Sequence, residues 1–158
     1  MRIFCRLIIA VGIVVPSLFA GAFVLQIGSP AGNPEAQKNN GVLVARVTAC
    51  RSPEKTAITA TAEGRENGIR KSIPLKVIPL TTAGAFAITR EWPEQGTWVV
   101  KLIATNPEYK DYAPSVLVPF EKNGLQWTAA KHFVHIPADA EVAAVLKGMS
   151  DHARHAIN

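Results

Sequence analysis

The chain has 158 residues, a formal net charge of +5 and a hydrophobic content of 48%. This length suits a single domain, and the hydrophobic content is that of a globular protein. Lysines and arginines are scattered among acidic residues, with no basic run that interleaves with aromatics, which excludes a basic stripe for nucleic acid.

An export signal is predicted at the start of the chain. Arg2 and Arg6 precede the apolar run LIIAVGIVVPSLFAGAFVLQIG. A basic region, an apolar region and then small residues are typical of a signal peptide. The small residues Ala20-Gly21-Ala22 favour cleavage after Ala22, so residues 1–22 are the predicted signal peptide.

The same run also allows a membrane anchor. Leu7–Leu25 is nearly long enough to span a bilayer uncut, and an anchor would then extend to about residue 26. In that case the N-terminal segment would be the protein's contact with the membrane. In both cases the body of the protein is exported, to the periplasm or the cell envelope.

The exported body is expected to contain no internal disulfide. Cys5 lies ahead of the apolar run, which leaves Cys50 as the one cysteine of the body. A lone exported cysteine is either buried as a small hydrophobe or free as a reactive thiol. For Cys50 we expect burial.

A flexible linker is predicted over residues 23–40, because Ile27–Asn40 is rich in glycine, proline, asparagine and small residues. The folded domain is expected over residues 41–136. Alternation and β-branched residues predict strands at Val42–Ala49, Thr56–Ala62, Ile69–Leu80, Ser115–Phe120 and Leu125–Ile136, the last of them bent near Ala129-Ala130. Pro74 and Pro79 limit the Ile69–Leu80 strand to a sheet edge, or to a strand broken at a crossover.

A central β-hairpin is predicted in Gly84–Thr105. Apolar residues alternate with small or polar ones in both arms, and the alternating residues are Phe86, Ile88, Trp92, Trp98, Val100 and Leu102. Between the arms lies Pro93-Glu94-Gln95-Gly96, in which proline presets one turn dihedral and glycine accepts a positive one. With these two arms there are about seven strands, at the spacing expected of an antiparallel β-sandwich.

A short helix is predicted in the C-terminal tail, residues 137–158. Asp139 is the expected N-cap. Val142, Leu146, Met149 and Ala153 recur at helical spacing and would form one apolar face.

The pattern around the central hairpin is carried by Gly84, Phe86, Ile88, Pro93, Gly96, Trp98, Val100 and Leu102. It resembles bacterial immunoglobulin-like or carboxypeptidase-regulatory-like (transthyretin-like) β-sandwich domains, and by strand count the similarity covers roughly residues 41–136. The resemblance implies a structural corner made by Pro93, Gly96 and Trp98, with the Trp98 ring as its anchor. It also implies an exported binding or structural module without catalytic residues. The chain has no cysteine pair between the sheets, which excludes a disulfide-bonded immunoglobulin domain.

Candidate contact residues lie on a polar loop, Asn106–Pro114, which carries Tyr109 and Tyr112. A polar loop with two tyrosines suits a recognition surface, and Trp92 is a third candidate. The alternative for the tryptophans is packing in the core, which we expect for Trp98.

Two alternatives assign chemistry to the chain. His152 and His155 would share one face of the tail helix and, with Met149, could bind copper or zinc. The competing interpretation is a solvated helix end whose dipole favours histidine. The second alternative is a thiol-dependent enzyme at Cys50, which would require a histidine beside the thiol.

The leading hypothesis is an exported, non-enzymatic β-sandwich that acts as a recognition or accessory module of the cell envelope. It predicts no catalytic residue, no cofactor and no nucleic acid. The expected partner is an envelope protein or a glycan, whose identity the sequence leaves open.

Overall fold

The protein is described by a computed structural model that covers residues 23–66, 68–121 and 124–155, with side chains as far as residue 150. The predicted signal peptide or anchor helix, residues 1–22, lies outside the described residues. Within the described ranges, no helix combines the length and the apolar character that a membrane crossing requires.

The described residues form two antiparallel sheets and two helices. The strands are β1 (Val24–Gly28), β2 (Gly41–Thr48), β3 (Ala57–Glu66), β4 (Ile69–Pro74), β5 (Val77–Pro79), β6 (Ala85–Thr89), β7 (Thr97–Thr105), β8 (Ser115–Glu121), β9 (Gly124–Leu125) and β10 (Lys131–Phe133). The helices are α1 (Pro34–Lys38) and α2 (Asp139–His155), and short 3₁₀ turns cover Pro30–Gly32, Pro53–Lys55 and Trp127–Ala129.

The strand order is β1-β2-β6-β5 in the first sheet and β10-β8-β7-β3-β4 in the second, with β9 beside β8. The prediction of a mainly β, antiparallel, two-sheet fold with a C-terminal helix is therefore confirmed. The described residues form ten strands rather than about seven, because two of the predicted strands are divided and β1 lies where a linker was predicted.

Apolar side chains from both sheets meet in one core. Along β2, Leu43, Ala45 and Val47 are buried and alternate with more exposed neighbours. Because successive side chains of a strand point to opposite faces, one face of β2 is directed at the second sheet. The second sheet contributes buried residues at alternate positions of β7 and β8, namely Trp98, Val100, Leu102, Val116 and Val118.

Each sheet also has a helix on its outer face. Val142, Leu146 and Met149 of α2 pack against Val99 and Leu117 of the second sheet. On the first sheet, Ala36 of α1 joins a smaller cluster with Leu80, Ala85 and Ala87. The predicted apolar face of the tail helix is confirmed at these three α2 residues.

The N-cap of α2 is one residue earlier than expected. The carbonyl of Ala138 accepts the first helical hydrogen bond, from the N–H of Val142 at 3.2 Å. The Glu141 carboxylate accepts the N–H of Ala138 at 2.7 Å. A glutamate three residues after the cap forms one half of a capping box, so Glu141 serves the helix start in place of Asp139.

The structure contradicts the flexible linker over residues 23–40. The strand β1 pairs with β2 from Val24 opposite Thr48 to Gly28 opposite Val44. Asn33 caps α1 by accepting the N–H of Ala36 at 2.9 Å. Two residues of the predicted linker therefore form the start of a helix: Asn33 is the N-cap of α1 and Pro34 is its first residue.

The structure also contradicts the central hairpin. β6 lies in the first sheet and β7 in the second, so Pro93-Glu94-Gln95-Gly96 belongs to a connection between sheets. Both faces of β6 are covered by other side chains, since Ala87 packs in the α1 cluster and Ile88 packs in the core between the sheets. Alternation gives the faces of a strand but not the identity of its neighbour.

The interpretation of Ile69–Leu80 as an edge strand or a strand broken at a crossover is confirmed on both counts. β4 is an edge of the second sheet and β5 is an edge of the first. Between them, the N–H of Leu75 donates to the carbonyl of Ala60 at 2.9 Å, which fixes the crossing. The predicted last strand is likewise divided, into β9, a 3₁₀ turn and β10.

Candidate functional site

The loop Asn106–Pro114 is fixed to its neighbours by side-chain contacts. The Tyr109 ring stacks on Phe23, with centroids 5.0 Å apart, and its hydroxyl accepts the N–H of Arg51 at 3.2 Å. The buried amide of Asn106 donates to the carbonyl of Arg51 at 3.2 Å. Tyr109 is therefore occupied in holding the start of β1.

Tyr112 is the more accessible tyrosine of this loop, since it is 38% exposed. Its ring lies 6.2 Å from that of Phe23, in a tilted arrangement. The neighbouring Ala113 donates its N–H to the carbonyl of Val134 at 3.1 Å, and Val134 and Ile136 are exposed. Of the three predicted contact residues, Tyr112 is the most exposed and therefore the best placed to contact a partner.

Trp92 lies in the core, with only 3% of its surface exposed. Its ring meets Phe120 edge to face at 5.2 Å. The Arg90 guanidinium lies 5.6 Å from the Trp92 ring and 4.7 Å from the Phe120 ring. The structure therefore places Trp92 in packing and not on a surface that could contact a partner.

Two residues of the predicted corner, Gly96 and Trp98, lie against each other, whereas the Pro93 carbonyl accepts a hydrogen bond from Arg90 Nη2 at 3.1 Å. Trp98 is fully buried, and its indole N–H donates to the carbonyl of Gln95 at 2.8 Å. Gly96 has a φ of 97°, and a Cβ at that position would lie 2.5 Å from the carbonyl oxygen of Arg65. The indole thus ties the connection between the sheets to the core, and only glycine suits this position.

Of the three residues of the metal hypothesis, Met149 is the one whose side chain is described. Met149 is buried in the apolar cluster between α2 and the second sheet, where it acts as a packing residue. The side chains of His152 and His155 lie outside the described residues. In the part of the chain that the structure describes, no group of three or more His, Cys, Asp and Glu residues could hold a metal ion.

Of the other two histidines, His135 contacts the start of α2. His132 is in β10, and His135 follows that strand with its Nε2 atom 3.2 Å from the Glu141 carboxylate. The backbone N–H of Ala138 and then His135 hold the pKa of Glu141 below its ordinary value. The contacts of Glu141 with Ala138 and His135 stabilise the start of α2.

Cys50 is exposed, so the expectation of burial is wrong. The physical reason is its position, since β2 ends at Thr48 and Cys50 follows in the connection to the next 3₁₀ turn. Cys50 therefore lies beyond the part of β2 that faces the core.

An ion pair between the buried Glu63 and the partly buried Lys101 lies on the outer face of the second sheet, and the sequence did not reveal it. Lys101 Nζ is 2.8 Å from Glu63 Oε1. The hydroxyls of Ser72 and Thr61 donate to the same oxygen at 2.9 and 3.0 Å. The sheet register brings them together, because Thr61 pairs with Lys101 and Glu63 with Ser72.

An open cleft of about 500 Å³ lies beside the first sheet, and we call it the lysine cleft. Its lining comes from the end of α1, the start of β5 and the end of β6, and consists of Lys38, Asn39, Asn40, Lys76, Ile78, Thr89, Arg90 and Glu91. No local motif signals this site, because its residues come from three separate stretches of the sequence.

Comparison of the chain with protein-family models, with curated proteins and with solved structures finds no match in any of the three. The contacts described above are therefore the basis for assigning a function.

Proposed function

We propose that the protein is an exported β-sandwich that acts as a non-enzymatic recognition or accessory module at the cell envelope. One observation carries the proposal. Phe23, the first residue after the predicted cleavage site, is 2% exposed and packs in the core, and β1 begins at the next residue. A buried residue and a core strand directly after the predicted cut fit a precursor whose entire signal is removed.

The same contacts weigh against an uncut anchor. An anchor that reached Leu25 would need Phe23 and Leu25 in lipid, whereas both side chains belong to the core between the sheets. The apolar run that remains, Leu7–Ala22, is shorter than the roughly 20 residues that a bilayer span requires. We therefore favour the cleaved form.

The module would present loops on a rigid scaffold. The two antiparallel sheets are compatible with an immunoglobulin-like or carboxypeptidase-regulatory-like domain, the family type we propose. The loop Asn106–Pro114 is anchored through Tyr109 and Asn106, which leaves Tyr112 free for contact. Binding residues are often placed on loops that a rigid scaffold positions. An envelope protein or a glycan is the proposed partner.

The test is the intact mass of the protein purified from its own host, with soluble and membrane fractions kept apart. We expect a chain that starts at Phe23 in the soluble envelope fraction. Ala22→Leu is the matched control, because a large residue before the cut should block processing and yield the longer mass. A full-length wild-type chain confined to membranes would contradict the proposal.

A further inference from the structure

The bond that a signal peptidase would cut lies directly beside a buried side chain. The predicted cut precedes Phe23, which is 2% exposed and packs in the core between the sheets. The next two residues are also part of the fold, because Val24 begins β1 and the Leu25 side chain is buried. From Phe23 onwards, the chain that follows the cut is therefore already built into the sandwich.

Phe23 and β1 are held by contacts on both sides. The backbone of β1 pairs with β2 over its whole length, starting with Val24 opposite Thr48. The Phe23 ring stacks on that of Tyr109 at 5.0 Å, and the Tyr109 hydroxyl accepts the N–H of Arg51 at 3.2 Å. Freeing the chain on this side of the cut therefore requires β1 to leave β2 and Phe23 to leave the core.

These contacts decide whether a peptidase can reach the bond. A peptidase binds an extended and accessible stretch of chain on each side of the bond that it cuts. A strand whose backbone is paired in a sheet and whose alternate side chains are buried cannot enter such a site. Proteolysis of a folded chain then proceeds from a transiently opened state, at a rate that follows the population of that state.

The partners that bury this end of the chain come later in the sequence. β2 follows β1 and is itself paired with β6, with Leu43 opposite Ile88. Tyr109, which covers the Phe23 ring, lies beyond both strands. An exported chain that emerges with its N-terminal part first presents the cut before these partners have followed. The bond is therefore accessible for an interval that ends when β1 docks.

We propose that docking of β1 closes the processing site, so that the bond before Phe23 is cut while β1 is undocked and a precursor that folds with its signal attached resists the peptidase. The reaction is a hydrolysis. Water adds across the amide between Ala22 and Phe23, which yields the Ala22 carboxylate and the α-amino group of Phe23. This order of events rests on the cleaved signal proposed above and adds the regulation of its processing site.

The test compares three full-length precursors in mild detergent, each incubated with a purified signal peptidase while intact mass reports the cleavage rate. The first is the wild type, whose folding is verified by near-UV circular dichroism. The second is Leu43→Asp, which places a charge at a fully buried position of β2 and should prevent folding without changing the sequence around the cut. The third carries Phe-Gly-Ser-Gly-Ser-Gly inserted between Ala22 and Phe23, which keeps a phenylalanine after the cut and moves the bond away from the core.

We expect the folded wild type to be cut at least about a hundredfold more slowly than Leu43→Asp, because its bond is accessible only after β1 opens. The precursor with the insertion should remain folded and still be cut at about the rate of Leu43→Asp. This third precursor separates protection by the docked strand from any effect of the detergent or of the folded body on the enzyme.

A fourth precursor tests the contact with Tyr109. Tyr109→Ala removes the ring that stacks on Phe23, and cleavage of the folded precursor should become about tenfold faster than in the wild type. Trp127→Ala is the matched control, because this aromatic residue is 37% exposed and lies outside the ring contacts of Phe23. Its cleavage rate should stay within about twofold of the wild type.

Equal rates for the folded wild type and Leu43→Asp would overturn the proposed order of events and leave the cleaved signal standing. Protection that persists in the precursor with the insertion would overturn it as well, since docked β1 would then not be the cause. Absence of cleavage in all the precursors would contradict the signal peptide itself and the order of events with it. The export proposal and the control of processing by β1 therefore fail in different ways.

Discussion

At the residue scale, Trp98 combines complete burial with a hydrogen bond to the connection between the sheets. Trp98→Ala should lower the free energy of unfolding by about 3–5 kcal/mol, because it leaves a large cavity and removes the bond to Gln95. Urea denaturation measures this directly. Trp127→Ala is the control, since Trp127 is 37% exposed and its loss should cost less than about 1 kcal/mol. A loss below about 1 kcal/mol for Trp98→Ala would refute the anchor role.

The Glu63–Lys101 pair predicts a pH dependence. Burial alone would raise the pKa of Glu63, but the bonds from Lys101, Ser72 and Thr61 and the charge of Lys101 outweigh it and hold the pKa below its ordinary value. The folded pKa is thus lower than the unfolded one. The resulting stabilisation is present above about pH 4.5 and is lost as the pH falls through the folded pKa.

Glu63→Gln should therefore flatten the acid side of the stability profile and reduce stability at neutral pH by about 1.5–3 kcal/mol. Chemical denaturation at a series of pH values provides the measurement. Glu63→Gln combined with Lys101→Met should recover part of the neutral-pH loss, because the ammonium group that lost its partner is then also absent. An unchanged acid limb in Glu63→Gln would show that another group controls it.

At the scale of the element, a glycine inside α2 lowers the stability of that helix. Gly148 lies inside the helix, and nothing stands within 4 Å of the position that a Cβ would take. Gly148→Ala should raise the free energy of unfolding by about 0.5–1 kcal/mol, because alanine restricts the unfolded chain and favours the helix. Thermal unfolding followed by circular dichroism would detect the change.

A second glycine provides the opposite case. A Cβ on Gly64 of β3 would lie 2.3 Å from Cε3 of Trp98, so Gly64→Ala should destabilise the protein by about 1–3 kcal/mol. The same unfolding experiment compares both variants. Equal effects of the two substitutions would mean that local packing does not decide the outcome.

At the scale of the whole molecule, Phe23 joins the first strand to the loop at the end of the sandwich. Phe23→Ala should lower the free energy of unfolding by about 3–5 kcal/mol, the cost of truncating a buried aromatic. Tyr109→Phe, which keeps the stacked ring and removes one hydrogen bond, should cost about 0.5–1.5 kcal/mol. Truncation of a side chain in a flexible linker costs little stability. A loss under about 0.5 kcal/mol for Phe23→Ala would therefore support the linker prediction for this segment.

Much of the architecture is predictable from local patterns. Alternation predicted the strands β2 and β8, and the helical spacing of Val142, Leu146 and Met149 gave the buried face of α2. Pro74 and Pro79 indicated edge positions because each removes a backbone donor. These features depend on a few neighbouring residues, and a single sequence contains all the information they need.

Features that depend on distant pairings were not predictable. Phe23 and Leu25 suit the end of an apolar signal as well as a core strand, and only the position of β2 decides between the two. The arm Phe86–Trp92 alternates equally well beside β7 or in the other sheet. Lys38 and Lys76 are ordinary surface lysines along the chain, and the fold alone brings them to one cleft.

The two prolines at the crossing between the sheets also oppose aggregation of the folded protein through its sheet edges. Pro74 and Pro79 lie in the edge strands β4 and β5, so each edge lacks one donor that a foreign strand would need. Such interrupted edges resist the strand-by-strand growth of aggregates. The opposite edge of the first sheet is β1, a short strand whose pairing covers the edge of the longer strand β2. Loss of β1 would therefore expose a ladder on which a second chain could assemble.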